Sequence, residues 1–65
     1  MSVKVSVIIP VWNQEQLVIR ALDSIPRRDD IEVVVVDDAS TDNTLKNVLE
    51  YVDAHPDMHI RVFQN

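Results

Sequence analysis

Apolar residues recur at two different spacings along the chain, and these spacings define five predicted elements. A spacing of two, typical of strands, marks Val3–Val11 and Met58–Gln64, while Val33–Val36 is an unbroken β-branched run. Such a run is typical of a buried parallel strand with neighbours on both edges and cover on both faces. Because Pro10 has no N–H for a ladder, we expect pairing of the first strand to end near it and the chain to turn at Val11–Asn13.

The first stretch of helical spacing follows the first strand. Asn13 is a favourable N-cap, and Gln16 three residues later completes a capping box. Pro26 ends the helix, and the charged residues Arg27–Asp30 then form a solvated connector. The apolar residues at three- and four-residue intervals form a stripe that is expected to cover the sheet: Leu17, Val18, Ala21, Leu22 and Ile25.

A second stretch of helical spacing lies between the central strand and the last one. Ser40, Thr41 or Asp42 can cap this helix, which should end near His55 because Pro56 cannot continue it. Its apolar positions again follow the helical period: Leu45, Val48, Leu49 and Val52.

The resulting order of strand, helix, strand, helix, strand predicts an α/β fold. Helical crossovers require parallel strands with right-handed connections, so we expect the three-layer βαβαβ half of a Rossmann-like parallel sheet. The chain contains no Gly, which excludes the GxGxxG and Walker loops, since both need glycine where the backbone approaches phosphate.

Composition narrows the class of protein. The 65 residues suffice for one small domain or part of a larger one, and 46% hydrophobic residues indicate a globular fold. A net charge of −5 with six basic residues argues against nucleic-acid binding. There is no Cys, and two His alone cannot complete a zinc site. Neither a membrane segment nor a signal peptide is evident, so we predict a cytoplasmic location.

Candidate chemistry lies in two loops that leave the predicted sheet at the same end, Pro10–Asn13 and Asp37–Thr44. A carboxylate there would accept a hydrogen bond from uracil N3–H or guanine N1–H, whereas the matching ring nitrogens of cytosine and adenine are themselves acceptors. Trp12 offers a flat surface on which a base or sugar could stack. The pattern therefore favours a nucleobase site.

Each candidate residue also has a structural interpretation. Asp37 is equally well explained as a turn or capping residue, and Asp38 is the better ligand candidate. Trp12 could instead anchor a core, and Asn13 is first a cap. A metal held by the two aspartates is disfavoured, because the pair supplies too few oxygen ligands.

The segments VSVIIPVWN, VVVVDDASTDNT and RVFQN together resemble the opening of family 2 glycosyltransferases of the GT-A fold, whose usual patterns are P-x-Y-N and V-D-D-x-S-x-D. The resemblance implies sugar transfer from a nucleotide-sugar, UDP-sugar or GDP-sugar, to an acceptor hydroxyl, usually with Mg²⁺ or Mn²⁺. It implies that Pro10 and Trp12 line the nucleobase pocket and that Asp38, with Asp37 beside it, contacts the base. Trp12 replaces the family's usual Tyr, and Ala39 replaces a frequent Gly.

The same resemblance implies that residues 1–65 are the truncated N-terminal nucleotide-binding portion of such an enzyme. The family's Asp-x-Asp metal motif, catalytic base and acceptor-binding half fall beyond the position of Asn65, so the fragment is expected to be inactive alone and to hold no metal. The implied strand order is third, second, first. Val3–Ile9 would then be an open edge, and we expect a homo-oligomer through it.

Two other classes of protein stay open. A receiver-like signalling module also places an acid pair after a strand, but there the pair closes the first strand, whereas here it closes the second. A self-associating α/β module without a ligand is the other alternative.

Overall fold

The computed structural model describes residues 3–65, which form one parallel sheet and two helices. Sheet order is β1-β2-β3, with both strand pairs parallel. The predicted α/β class, element order and strand order are therefore confirmed. The elements are β1 Val5–Val11, α1 Val18–Asp23, β2 Ile31–Asp37, α2 Thr44–Ala54 and β3 His59–Gln64.

Pro10 lies inside β1, so the strand extends slightly beyond the expected end. The register pairs Pro10 with Val36 and Val11 with Asp37. The Val11 carbonyl accepts a bond from Asp38 N–H at 2.9 Å on the β2 side. The backbone N–H and C=O groups of successive strand residues point to alternate sides. The ring nitrogen of Pro10 therefore points away from β2, and no hydrogen bond between β1 and β2 is lost.

Both helices pack on one face of the sheet. The odd-numbered residues of β2 are buried there and the even-numbered ones are half-buried, which gives a strict alternation along the strand. The buried apolar core consists of Val11, Val18, Leu22, Ile25, Ile31, Val33, Val35, Val48 and Tyr51. Right-handed crossovers that move in one direction along a sheet place both helices on the same side.

The second face of the sheet carries no helix within residues 3–65, so these residues supply two of the three expected layers. Ile8 is 58% exposed and Phe63 46% exposed on this face. The Arg61 guanidinium lies 5.2 Å from the centre of the Phe63 ring and 3.8 Å from the Glu32 carboxylate. Cover of the central strand on both faces was thus found on one face only.

The first helix is shorter than expected and begins at Val18 rather than just after Asn13. Asn13 is not its N-cap; Leu17 occupies that position and makes no side-chain capping bond. Leu17 and Ala21 are exposed, so only three members of the predicted stripe are buried. Leu17 lies before the observed helix and Ile25 after it, so the helix itself carries only Val18, Ala21 and Leu22 of the stripe.

The second helix begins at Thr44, with Asn43 at the N-cap position and no capping bond from the Asn43 side chain. The residue before it, Asp42, takes this part instead: its Oδ1 accepts the N–H of Thr44, in the first turn of the helix, at 2.9 Å. Leu49, which was expected on the apolar side of this helix, is exposed, whereas Tyr51 is buried.

Neither helix within residues 3–65 has the length and apolar character needed to cross a lipid bilayer.

Candidate functional site

The two consecutive aspartates at the end of β2 have opposite environments. Asp37 continues the buried side of the strand and is 3% exposed. Its carboxylate accepts bonds from Ser40 Oγ at 2.5 Å and Ser40 N–H at 3.3 Å. Asp38 is exposed, and its backbone N–H continues the ladder to β1. Of the two carboxylates, Asp38 is therefore the one open to solvent, while Asp37 is bonded within the protein.

Asp38 and Trp12 line the same cleft at the carboxyl ends of β1 and β2. The other lining residues are Pro10, Val11 and Gln14. The Trp12 side chain is 61% exposed. The structure therefore brings together three of the four predicted site residues, Pro10, Trp12 and Asp38. The fourth, Asp37, is buried and does not line the cleft. Their nucleotide-binding role stays a prediction.

Hydrogen bonds tie the two loops beside this cleft to each other; we name them loop 1 (residues 12–17) and loop 2 (residues 38–43). Asn13 Oδ1 accepts from Thr41 N–H at 2.8 Å and from Asp42 N–H at 3.4 Å. Asn13 N–H donates to Ser40 Oγ at 3.0 Å. These bonds span 27 to 29 residues of sequence and set the separation of the loops.

A second group of bonds fixes the start of α1 against the start of α2. Thr44 is fully buried, and its Oγ1 accepts the Gln14 N–H at 2.7 Å and donates to Asp42 Oδ1. Asp42 Oδ2 accepts the Glu15 N–H at 3.4 Å. Two N–H groups ahead of α1 are thus satisfied by side chains from loop 2 and the first residue of α2, and Asn13 is not needed as a cap.

The pKa of Asp42 lies below its ordinary value. Burial by the surrounding loops raises the pKa, but hydrogen bonds from the Thr44 hydroxyl and N–H, and then from the Glu15 N–H, favour the charged carboxylate and outweigh it. The sequence identified Asp42 only as one of three possible caps.

Two non-glycine residues flank the cleft with left-handed backbone. Asn13 has φ 48° and Ala39 has φ 56°. Asn adopts this region readily, whereas Ala does so at a steric cost. The sequence signal for this geometry was the position of Ala39, where the family that the chain resembles often has Gly.

The described residues do not fit a metal site. Among residues 3–65, no three His, Cys, Asp or Glu side chains come close enough together to hold a metal ion. The cleft instead combines a carboxylate acceptor with an exposed aromatic surface, an arrangement suited to a planar ligand that carries an N–H donor.

Comparison with curated proteins identifies relatives that act on sugars. The chain is 46% identical over 52 residues to the poly(ribitol-phosphate) β-N-acetylglucosaminyltransferase TarS of Staphylococcus aureus, covering 74% of this chain and 9% of that protein. It is 38% identical over 63 residues to the putative colanic acid biosynthesis glycosyl transferase WcaA of Escherichia coli, covering 94% and 22%. The chain thus spans less than a quarter of either relative.

Solved structures share the fold. The mannosyltransferase PcManGT from Pyrobaculum calidifontis, in complex with GDP-Man and Mn²⁺, matches all of this chain and 20% of its own length, with a TM-score of 0.88 and 36% identity. Residues 1–349 of S. aureus TarS in complex with UDP match 95% of this chain and 19% of that structure, with a TM-score of 0.79 and 39% identity.

The family model for glycosyl transferase family 2 matches residues 6–65, which is nearly the whole chain. The resemblance stated from the two loop motifs is thereby confirmed, and the alternative α/β modules are not favoured. This chain belongs to glycosyltransferase family 2.

Proposed function

We propose that this chain supplies the nucleotide-binding portion of a glycosyltransferase that transfers a sugar from a nucleotide-sugar donor, UDP-sugar in first place and GDP-sugar in second, to an acceptor hydroxyl. The observation that carries the proposal is the cleft in which the exposed Asp38 and the exposed Trp12 meet. The ligands of the two similar structures, UDP and GDP-Man, support it.

The chemistry of the cleft favours bases with a ring N–H. An ionised Asp38 carboxylate accepts from uracil N3–H or guanine N1–H, and a charge-assisted bond is roughly twice as strong as a neutral one. The same carboxylate repels the acceptor nitrogens of cytosine and adenine. Stacking on Trp12 contributes about 1–3 kcal/mol and is tolerant of base identity. In this proposal Asp38 discriminates between bases, and Trp12 adds affinity for any base.

Asp37 has a supporting role in this proposal. Its buried carboxylate holds Ser40, which in turn accepts the Asn13 N–H. Direct contact between Asp37 and the nucleotide stays a prediction, as does the cytoplasmic location.

Titration of nucleotides tests the proposal. Trp12 is the sole Trp, so its fluorescence reports the cleft directly. We expect UMP, UDP and GDP to bind and CMP and AMP to bind about tenfold more weakly, which is a difference in binding free energy of roughly 1.4 kcal/mol. Equal affinity for UMP and CMP would refute the assigned base selectivity.

A charge-matched pair of variants isolates the carboxylate. Asp38→Asn should weaken UMP binding and reduce the difference between UMP and CMP, because an amide both donates and accepts. Asp53→Asn makes the same charge change on an exposed position of α2 and should leave both affinities unchanged. Equal effects of the two variants would contradict a local role for Asp38.

We also propose that the whole enzyme uses Mg²⁺ or Mn²⁺ held by residues other than those described, and that the 65-residue chain alone transfers no sugar. The Mn²⁺ in the PcManGT structure supports the first statement. Incubation with UDP- and GDP-sugars and a hydroxyl acceptor should give no sugar transfer above buffer, and measurable transfer would contradict the second.

Self-association through β1 is a further part of the proposal. Within residues 3–65 β1 pairs on one side only, and Val5 is 44% exposed along it. An open strand edge can pair with another copy, and a charge placed there discourages pairing. We expect light scattering to show a dimer or larger species that Ser6→Lys shifts towards monomer. A monomeric parent at high concentration would contradict this.

A further inference from the structure

Asn13 makes more of the contacts between loops 1 and 2 than any other side chain described above. Its Oδ1 accepts two backbone N–H groups and, at 3.3 Å, the Thr41 hydroxyl. Its own N–H donates to Ser40 Oγ, which also bonds to the buried Asp37. One residue therefore connects loop 1 to the turn of loop 2 and, through Ser40, to the end of β2.

The neighbours of Asn13 form one wall of the cleft. Trp12 precedes it and Gln14 follows it, and both line the same cleft as Asp38. Asp38 begins loop 2, whose turn is held by Asn13. A shift of Asn13 would therefore change the separation of Trp12 and Asp38, even though Asn13 itself does not line this cleft.

We propose that Asn13 is a positioning residue that fixes loop 1 against loop 2 before a nucleotide enters the cleft. This inference rests on the proposed nucleotide-binding function. A site whose walls are already fixed does not lose loop freedom on binding, so its affinity is higher than that of the same contacts on mobile loops. Asn13 thus acts on the nucleotide by setting the position of Trp12 relative to Asp38.

Three substitutions separate the two properties of Asn13, its acceptor oxygen and its tolerance of φ 48°. Asn13→Gly retains the backbone freedom and removes the acceptor. Asn13→Ala removes the acceptor and adds backbone strain. Asn13→Asp retains an acceptor and still tolerates the left-handed region.

We expect Asn13→Gly and Asn13→Ala each to weaken UDP binding about tenfold, the loss typical of one or more hydrogen bonds. Asn13→Asp should restore affinity to within about threefold of the parent in buffer whose salt screens the added charge. Trp12 anisotropy in the free protein should fall in the Gly and Ala variants and not in Asp. All measurements are made at a temperature where circular dichroism shows each variant folded.

A double-substitution cycle distinguishes positioning from a general loss of stability. In the Asn13→Gly background, Asp38→Asn should cost less UDP affinity than in the parent, because loop 1 no longer holds Trp12 in place beside Asp38. Full additivity, or unchanged affinity and anisotropy in Asn13→Gly, would overturn the inference and leave the nucleotide site intact. Absence of UDP and GDP binding by the parent chain would instead refute the proposed function, and the inference with it.

Discussion

The two ends of the sheet both carry polar clusters, and they differ in what those clusters leave exposed. At the amino end, Tyr51 Oη donates to Asp23 Oδ1 at 2.8 Å and accepts from Arg27 at 3.3 Å. The Tyr51 ring stacks on His55 at 3.9 Å between centroids. At the carboxyl end, the loop bonds surround a cleft at which Trp12 and Asp38 stay exposed.

This contrast separates polar residues that stabilise the fold from those that are able to bind a ligand. The Tyr51 cluster joins the end of α1 to the end of α2, and Tyr51 is only 5% exposed. The Asn13 bonds likewise join one loop to the other, but they leave the neighbouring Trp12 and Asp38 side chains exposed in the cleft. Exposure of an acceptor beside an aromatic ring, and not polarity alone, is what distinguishes a candidate site.

The largest expected effect is at the amino end. Tyr51→Ala removes a buried ring together with its bond to Asp23, so we expect the free energy of unfolding to fall by about 3–5 kcal/mol. Urea unfolding followed by circular dichroism measures it. Leu49→Ala on the exposed side of the same helix should cost far less, and equal losses would contradict the assigned packing.

At the carboxyl end, Thr44→Val tests the bonds between the loops. The isosteric change deprives the Gln14 N–H and Asp42 of a buried partner, which should cost about 1–3 kcal/mol. Thr41→Val, at an exposed position, is the matched control and should have a much smaller effect on urea unfolding. Similar losses in both variants would show that Thr44 is not the central contact.

The two ends should respond to opposite extremes of pH. Burial, and then the Asp23 bond, raise the pKa of Tyr51, so its contribution to stability is complete below about pH 10 and is lost as pH rises through the folded-state pKa. The lowered pKa of Asp42 makes its contribution complete above its ordinary pKa and lost as pH falls through the folded-state value.

Two variants test whether Tyr51 causes the loss of stability at alkaline pH and Asp42 the loss at acid pH. Tyr51→Phe should flatten the alkaline loss of stability, and Asp42→Asn should flatten the acid loss, each without changing the other limb. Urea midpoints measured across pH provide the comparison. A variant that alters both limbs equally would mean that the two clusters are not independent.

The smallest expected effect is at Ala39. Its φ of 56° is unfavourable for a residue with a Cβ, so Ala39→Gly should raise the free energy of unfolding by about 0.5–1 kcal/mol after the entropic cost of Gly. Ala54→Gly at the end of α2 is the control and should destabilise. A loss of stability in Ala39→Gly would contradict the strain at this turn.

The elements and their order were predictable because apolar spacing follows secondary structure directly. The run Val33–Val36 hid one detail: four valines show no alternation, so sequence alone did not reveal that Asp37 lies on the buried side and Asp38 on the exposed side. The observed register resolves this, because burial alternates from Ile31 onward.

The contacts of Asn13 could not be predicted in the same way. A cap bonds to residues two or three positions away, and a capping box was therefore the local expectation for Asn13 and Gln16. The actual partners of Asn13 lie 27 to 29 residues along the chain and come close only when β1 and β2 pair. Tertiary contacts prevailed over local preference, and α1 began later as a result.

Pro10 has a consequence for any strand added beyond β1. The Pro10 ring nitrogen points to the unpaired edge of β1, two residues before Trp12. A strand that paired with this edge would find no N–H donor there and would make one hydrogen bond fewer. Pairing of a further strand with β1 should therefore be weaker at Pro10 than at the residues before it. A single residue thus weakens the outer edge of β1 beside the cleft and leaves the β1–β2 ladder on the inner side intact.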